Sequence, residues 1–173
     1  MNPSPTVSVL MGSDSDFEVM KEAAGILKDF DVEFEMLVTS AHRTPGRTSE
    51  FARNASGRGV KAIIVGAGAA AHLAGVIAAE TTLPVIGVPI NATSLSGLDA
   101  LLSTVQMPGG IPVATMAIGK AGARNAALFA IEILAIQDEN LAEKLKTYRS
   151  RFKASVEEKS NRLQDRLGSF LNE

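Results

Sequence analysis

The chain reads as an α/β three-layer sandwich, a five-stranded parallel sheet covered by helices, followed by one long C-terminal helix. Three observations predict this. From residue 6 to residue 136, short apolar runs alternate with segments of helical spacing. The apolar runs are bounded by glycine, serine, threonine or proline, and several are apolar throughout, as strands covered on both faces are. After residue 138 the pattern changes to sparse apolar positions among Lys, Arg and Glu.

Val7–Met11 is an apolar run closed by Gly12, a first strand. Residues 16–30 carry Phe17, Met20, Ala24 and Leu27 on one stripe, a helix. Residues 32–39 form strand two, and residues 45–57 a more polar helix that opens on Pro45 and ends at Gly57 and Gly59. Residues 60–65 form strand three, residues 69–80 a small-residue helix, residues 84–89 strand four and residues 96–105 a short helix. Residues 113–118 are strand five, and residues 122–136 an alanine- and leucine-rich helix. Alternating strands and helices make right-handed βαβ units. Five strands in this spacing give a flavodoxin-like sheet. No repeat or linker interrupts it, so residues 1–137 are expected to form a single catalytic domain and residues 138–173 an extension.

In that extension Leu141, Leu145, Tyr148, Phe152, Val156, Leu163 and Leu167 recur at steps of three, four or seven. This is one amphipathic helix. Over residues 138–167 it is about 45 Å long, while a body of this size is roughly 35–40 Å across. The helix is therefore expected to overhang its own domain and pack on a neighbouring subunit. The alternative is that it bends and covers its own sheet.

Composition narrows the function. The 173 residues carry a formal net charge of −2, which gives no basic surface for nucleic acid or an anionic membrane. No run of 18 apolar residues appears, and the N-terminus lacks a basic region followed by an apolar one; a soluble, cytoplasmic protein is expected. There is no cysteine, hence no disulfide and no thiol nucleophile, and only two histidines, too few for a histidine-rich metal site.

The loops after the strands carry the chemistry, because ligands of parallel α/β sheets bind at strand carboxyl ends. After strand two comes Ser40-Ala41-His42-Arg43-Thr44-Pro45. Arginine suits phosphate, and histidine gives and takes protons near neutral pH. A structural histidine and a surface ion pair fit the same residues. After strand one, Gly12-Ser13-Asp14-Ser15-Asp16 leads into a helix whose free N–H groups favour an anion, with Asp16 suited to ribose hydroxyls. Plain helix capping fits it too. After strand three, Gly66-Ala67-Gly68-Ala69-Ala70-Ala71 offers a floor without side-chain bulk, followed by His72 and Leu73. His72 either meets the ligand or organises the loop. Loop 106–112, with its prolines and glycines, reads as a rigid, shaped cover, and both it and loop 89–97 fit ordinary turns. Without a metal or cofactor signature, the accessible chemistry is proton transfer coupled to bond rearrangement.

Five motifs occur in order: Met-Gly-Ser-x-Ser-Asp at 11–16, Ser-Ala-His-Arg-Thr-Pro at 40–45, Gly-Ala-Gly-x-Ala-Ala-His-Leu at 66–73, Gln-Met-Pro-x-Gly-Ile-Pro at 106–112 and Ala-Ile-Gly-x-Ala at 117–121. Together, over residues 6–137, they resemble the N5-carboxyaminoimidazole ribonucleotide mutase family of bacterial purine biosynthesis. The resemblance implies an isomerase that moves CO2 from the exocyclic nitrogen to ring carbon 4 of a ribonucleotide, giving 4-carboxyaminoimidazole ribonucleotide on the route to IMP. It implies His42 as general acid and then base. The substrate-binding set would be Ser13, Ser15, Asp16, Ser40, Ala41, Arg43, Gly66, Ala67, Gly68, Ala69, His72 and Leu73. Within it, Ser13, Ser40 and Arg43 would hold phosphate and Asp16 ribose. It implies no cofactor and no metal, CO2 as a trapped intermediate, a homo-octamer, the loop around Met107 and Pro108 as a wall, and functional coupling to the ATP-dependent synthetase that makes the substrate. A direct aminoimidazole ribonucleotide carboxylase is disfavoured by Arg43 and by His72-Leu73. A non-catalytic nucleotide-binding module would leave His42 unexplained. The chain departs from the family at Ala69 and Ala74, where glycine and proline are usual, and around Val76. If position 69 needs a positive φ, alanine there is strained.

Overall fold

The computed structural model describes residues 4–171. The chain divides into two compact units, the first ending at Leu134 and the second beginning at Ala135. In the first, β1 (Val7–Met11), β2 (Phe34–Val38), β3 (Ala62–Gly68), β4 (Val85–Ile90) and β5 (Ala114–Thr115) form one sheet in the order β2-β1-β3-β4-β5, every neighbouring pair parallel. They alternate with α1 (Phe17–Asp29), α2 (Pro45–Ala55), α3 (Leu73–Ala78), α4 (Leu98–Val105) and α5 (Lys120–Ala135). This is the doubly wound, flavodoxin-like order, with its switch point between β1 and β3.

Side chains alternate across a strand, and here both faces are covered. Leu10, Ile63 and Val65 pack with Ala52 and Ala55 of α2 and with Leu73, Ala74 and Ile77 of α3 in one buried cluster. On the other face Met20 of α1 lies over Gly66, and α1 is tied to α5 by Glu22 and Arg124. Each fully buried valine or isoleucine contributes about 1.5–3 kcal/mol relative to exposure, so the central strands β1, β3 and β4 anchor the loops that follow them.

Three of the differences from the expected boundaries have a clear local reason. β3 runs on through Gly66, Ala67 and Gly68, which pair with Val88, Pro89 and Ile90 of β4. The small residues expected to open the loop are thus the last rung of the sheet. At its two glycines a Cβ atom has no room: one on Gly66 would lie 2.3 Å from the Met20 sulfur, and one on Gly68 would lie 2.5 Å from the Ala92 methyl carbon. α3 begins at Leu73 rather than at 69, because Ala69 adopts φ 52° and the chain then turns tightly through Ala71 N–H to Ala69 C=O and His72 N–H to Ala70 C=O. β5 has only two residues. Beyond it Met116 N–H and Gly119 N–H still reach the carbonyls of Gly87 and Pro89, so the chain follows β4 without a regular ladder.

The second unit contains α6 (Glu139–Leu171), a single helix of 33 residues. Asp138 caps it, its carboxylate accepting from Leu141 N–H at 3.0 Å. Tyr148 and Phe152 meet edge to face, one turn apart. Phe152, Val156, Leu163 and Leu167 lie between 45% and 64% exposed and form an apolar stripe along the helix. Among the described residues no helix is long and apolar enough to cross a membrane.

Candidate active site

At the switch point, four strand ends and their loops enclose a cavity of about 380 Å³. Gly12, Ser13, Ser15 and Asp16 come from the β1 end, Ser40, Ala41, His42 and Arg43 from β2, Ala67, Gly68, Ala69, Ala70 and Leu73 from β3, and Ala92 from β4.

The β1 loop is both cap and lining. Ser13 caps a short 3₁₀ turn, its Oγ accepting from Ser15 N–H at 3.3 Å and from Ser15 Oγ at 2.9 Å, while Asp16 Oδ2 accepts from Ser13 N–H at 3.1 Å. The capping and anion-binding readings therefore coexist in one loop. Asp16 is buried although it lines the cavity. Burial raises its carboxyl above the usual range, and the backbone N–H groups of Ser13 and Gly12 pull the other way.

The β2 loop is built on hydroxyls. Ser40 Oγ accepts from Arg43 N–H at 3.1 Å, which folds the chain into a turn and leaves the Ser40 O–H free to donate. The Ser40 carbonyl accepts from Thr44 N–H at 3.0 Å, from Thr44 Oγ1 at 3.1 Å and from Thr48 Oγ1 at 3.2 Å. His42 and Arg43 sit at the tip, both exposed.

The β3 loop meets it from across the switch point. His42 Nε2 lies 2.9 Å from His72 Nδ1, with the two rings edge to face and 5.0 Å apart. One nitrogen must carry the proton and the other the lone pair, so each ring constrains the tautomer of the other.

Eleven of the thirteen expected site residues thus line one cavity: His42, Ser13, Ser15, Asp16, Ser40, Ala41, Arg43, Ala67, Gly68, Ala69 and Leu73. Gly66 does not; it is a packing position under Met20. His72 does not line it either, and reaches it only through His42. Ala92 was not expected. A methyl group carries no chemical signal, and its place follows from the close approach to Gly68. Within the chain, Met107 and Pro108 do not line this cavity; the Met107 sulfur lies against Gly75. The following residues Gly110, Ile111 and Pro112 border a separate cavity of about 630 Å³, whose charged pair, Arg53 and Glu80, is spent on itself at 2.7 Å.

Comparison with known proteins points to one family. The model of the AIR carboxylase family matches residues 6–155. A Pyrococcus abyssi protein named N5-carboxyaminoimidazole ribonucleotide mutase is 61% identical over 86% of this chain and 84% of its own length. The Bacillus subtilis protein of that name is 56% identical over 92% of this chain and 98% of its own. The solved structure of Treponema denticola PurE superposes with a TM-score of 0.80 at 29% identity, covering 89% of this chain and 95% of that one.

Proposed function

The chain belongs to the AIR carboxylase family, and from that membership we propose that it is the isomerase converting N5-carboxyaminoimidazole ribonucleotide to 4-carboxyaminoimidazole ribonucleotide. The observation that carries the reading is one cavity holding an imidazole, a guanidinium with no carboxylate partner among the described residues, and three serine hydroxyls. Relatives named for this activity at 49–61% identity support the choice within the family.

In this reading Arg43, with the hydroxyls of Ser13 and Ser40, binds the phosphate, and Asp16 accepts from the ribose hydroxyls. Protonated His42 gives its proton to the carbamate nitrogen while the N–C bond to the carboxyl breaks and CO2 is released into the site. Ring carbon 4 attacks that CO2. Neutral His42 then takes the proton from carbon 4, which restores the aromatic ring and the starting charge of the histidine. The cycle consumes no net proton and no ATP. Ala67 to Ala70 pack against the flat ring, and His72 holds the orientation of His42. The assembly is a homo-octamer in the cytoplasm, with residues 138–173 packed on a neighbouring subunit, and its labile substrate comes from an ATP-dependent synthetase.

The deciding test is turnover of freshly made N5-carboxyaminoimidazole ribonucleotide without ATP or bicarbonate, beside aminoimidazole ribonucleotide plus bicarbonate. Rapid product in the first assay is expected. Efficient product only in the second makes the chain a direct carboxylase. Sedimentation of the full chain and of a chain ending at residue 137 tests the role of α6; an unchanged oligomer removes it.

A further inference from the structure

Two buried hydroxyls lie behind the β2 loop. Thr48, in the second turn of α2, is fully buried, and Thr39, at the end of β2, is 5% exposed. Their Oγ1 atoms are 2.8 Å apart. Thr48 Oγ1 also lies 3.2 Å from the Ser40 carbonyl and 3.1 Å from the Thr44 carbonyl. A hydroxyl has one proton, and one assignment satisfies all three contacts. Thr39 donates to Thr48, and the Thr48 proton is shared between the two carbonyls. Residues 40 and 44 bracket Ala41-His42-Arg43, so a single side chain ties both ends of the turn that carries the histidine and the arginine.

We propose that Thr48 is a positioning residue: its hydroxyl fixes the Ser40–Thr44 turn and thereby the place of His42 and Arg43 in the cavity. The inference rests on the acid–base reading of His42. Without the bond from the Thr48 hydroxyl, the turn keeps its Ser40–Thr44 and Ser40–Arg43 bonds and the Thr48 N–H bond to the Thr44 carbonyl, but the Ser40 carbonyl loses its hydrogen bond from α2. Misplacement of a reacting group by about 1 Å costs on the order of 100-fold in rate, so a modest loosening of the turn has a large readout.

The test pairs Thr48→Val, which keeps the shape and removes the hydroxyl, with Thr48→Ser, which keeps the hydroxyl. Rates are taken per folded protein, from circular dichroism at the assay temperature. The expected result is a kcat about tenfold or more below the parent for Thr48→Val, a smaller change in KM, and recovery to within about threefold in Thr48→Ser. Thr39→Val, which leaves the Thr48 proton in place, should lose only a few-fold. Folded Thr48→Val with unchanged kcat overturns the proposal; where it does not fold, Thr48→Ala takes its place, with the same expected loss and the same overturning result. A second readout needs no turnover. With two histidines in the chain, the His42 ring resonances are assigned by His42→Asn. They should shift or broaden in Thr48→Val and return in Thr48→Ser. Undisturbed resonances sink the proposal, whereas disturbed resonances in a parent that does not turn over the substrate sink only the acid–base reading.

Discussion

The loops after β2 and β3 each bring one histidine to the same contact, but they are held in opposite ways. The β2 loop is fastened by side chains: Ser40, Thr44 and Thr48 place hydroxyls on its backbone, and the tip is left to His42 and Arg43. The β3 loop has almost no side chains to use. It is placed by the sheet up to Gly68, by two tight backbone turns and by one residue, Ala69, in the left-handed region. The first design puts functional groups forward, and the second makes room for a flat ligand. A loop without hydroxyls gains closeness to the ligand and accepts backbone strain.

The sharpest way to break the comparison is His42→Asn. It should lower turnover by about 10²–10⁴-fold, the usual worth of a general acid–base group, with ligand affinity largely kept in equilibrium titration. His72→Asn, from the other loop, should cost much less; equal losses would show that both rings exchange protons with substrate. Arg43→Ala comes next. Loss of a charge-assisted bond is worth about 1.5–3 kcal/mol, so affinity for the phosphorylated substrate should fall about 10–100-fold. Unchanged affinity by calorimetry would take Arg43 out of the phosphate site.

Ala69→Gly tests the β3 loop in the opposite direction. A left-handed alanine costs roughly 1–2 kcal/mol, partly offset by the added freedom glycine gives the unfolded chain. The variant should melt slightly higher, by about 2–4 °C per kcal/mol recovered. A lower melting temperature would mean that the strain at φ 52° is compensated elsewhere.

The smallest effect concerns the β1 loop, which lies between the two designs. Burial raises the Asp16 pKa in the folded chain. The unfolded chain then ionises first as pH rises through about 3.8, and a folding penalty grows until the folded pKa is passed. Asp16→Asn removes that penalty. It should match the parent in stability below pH 3.8 and equal or exceed it at neutral pH, while binding ribonucleotide less well. A variant less stable at pH 7 than at pH 3.5, relative to the parent, would overturn this sign.

The strands were legible because both faces of the sheet are covered, which leaves apolar runs such as Val7–Met11 unmistakable. The helix starts were less so. α3 and α4 begin later than periodicity suggests because Ala69, Ser96 and Gly97 take positive φ, and neither alanine nor serine announces that conformation. Gly66 was read as a loop residue because a strand glycine chosen for the Met20 contact looks the same as one chosen for a turn. In the site, charged and hydroxyl residues could be found by their chemistry, and Ala92 could not. The bond between His42 and His72 was invisible, since thirty residues of sequence separate two rings that only the β1–β3 switch brings together.

The all-parallel sheet also has a consequence for how activity appears during folding. No two neighbouring strands are joined by a hairpin. The central pairing of Val7 with Ala62 closes a loop of about 55 residues, and such non-local contacts form slowly. The cavity draws on the ends of β1, β2, β3 and β4 together. A half-assembled sheet therefore holds no half-active site. Recovery of turnover on refolding should lag the return of helical signal and follow completion of the central strands, making catalysis a reporter of the last cooperative step.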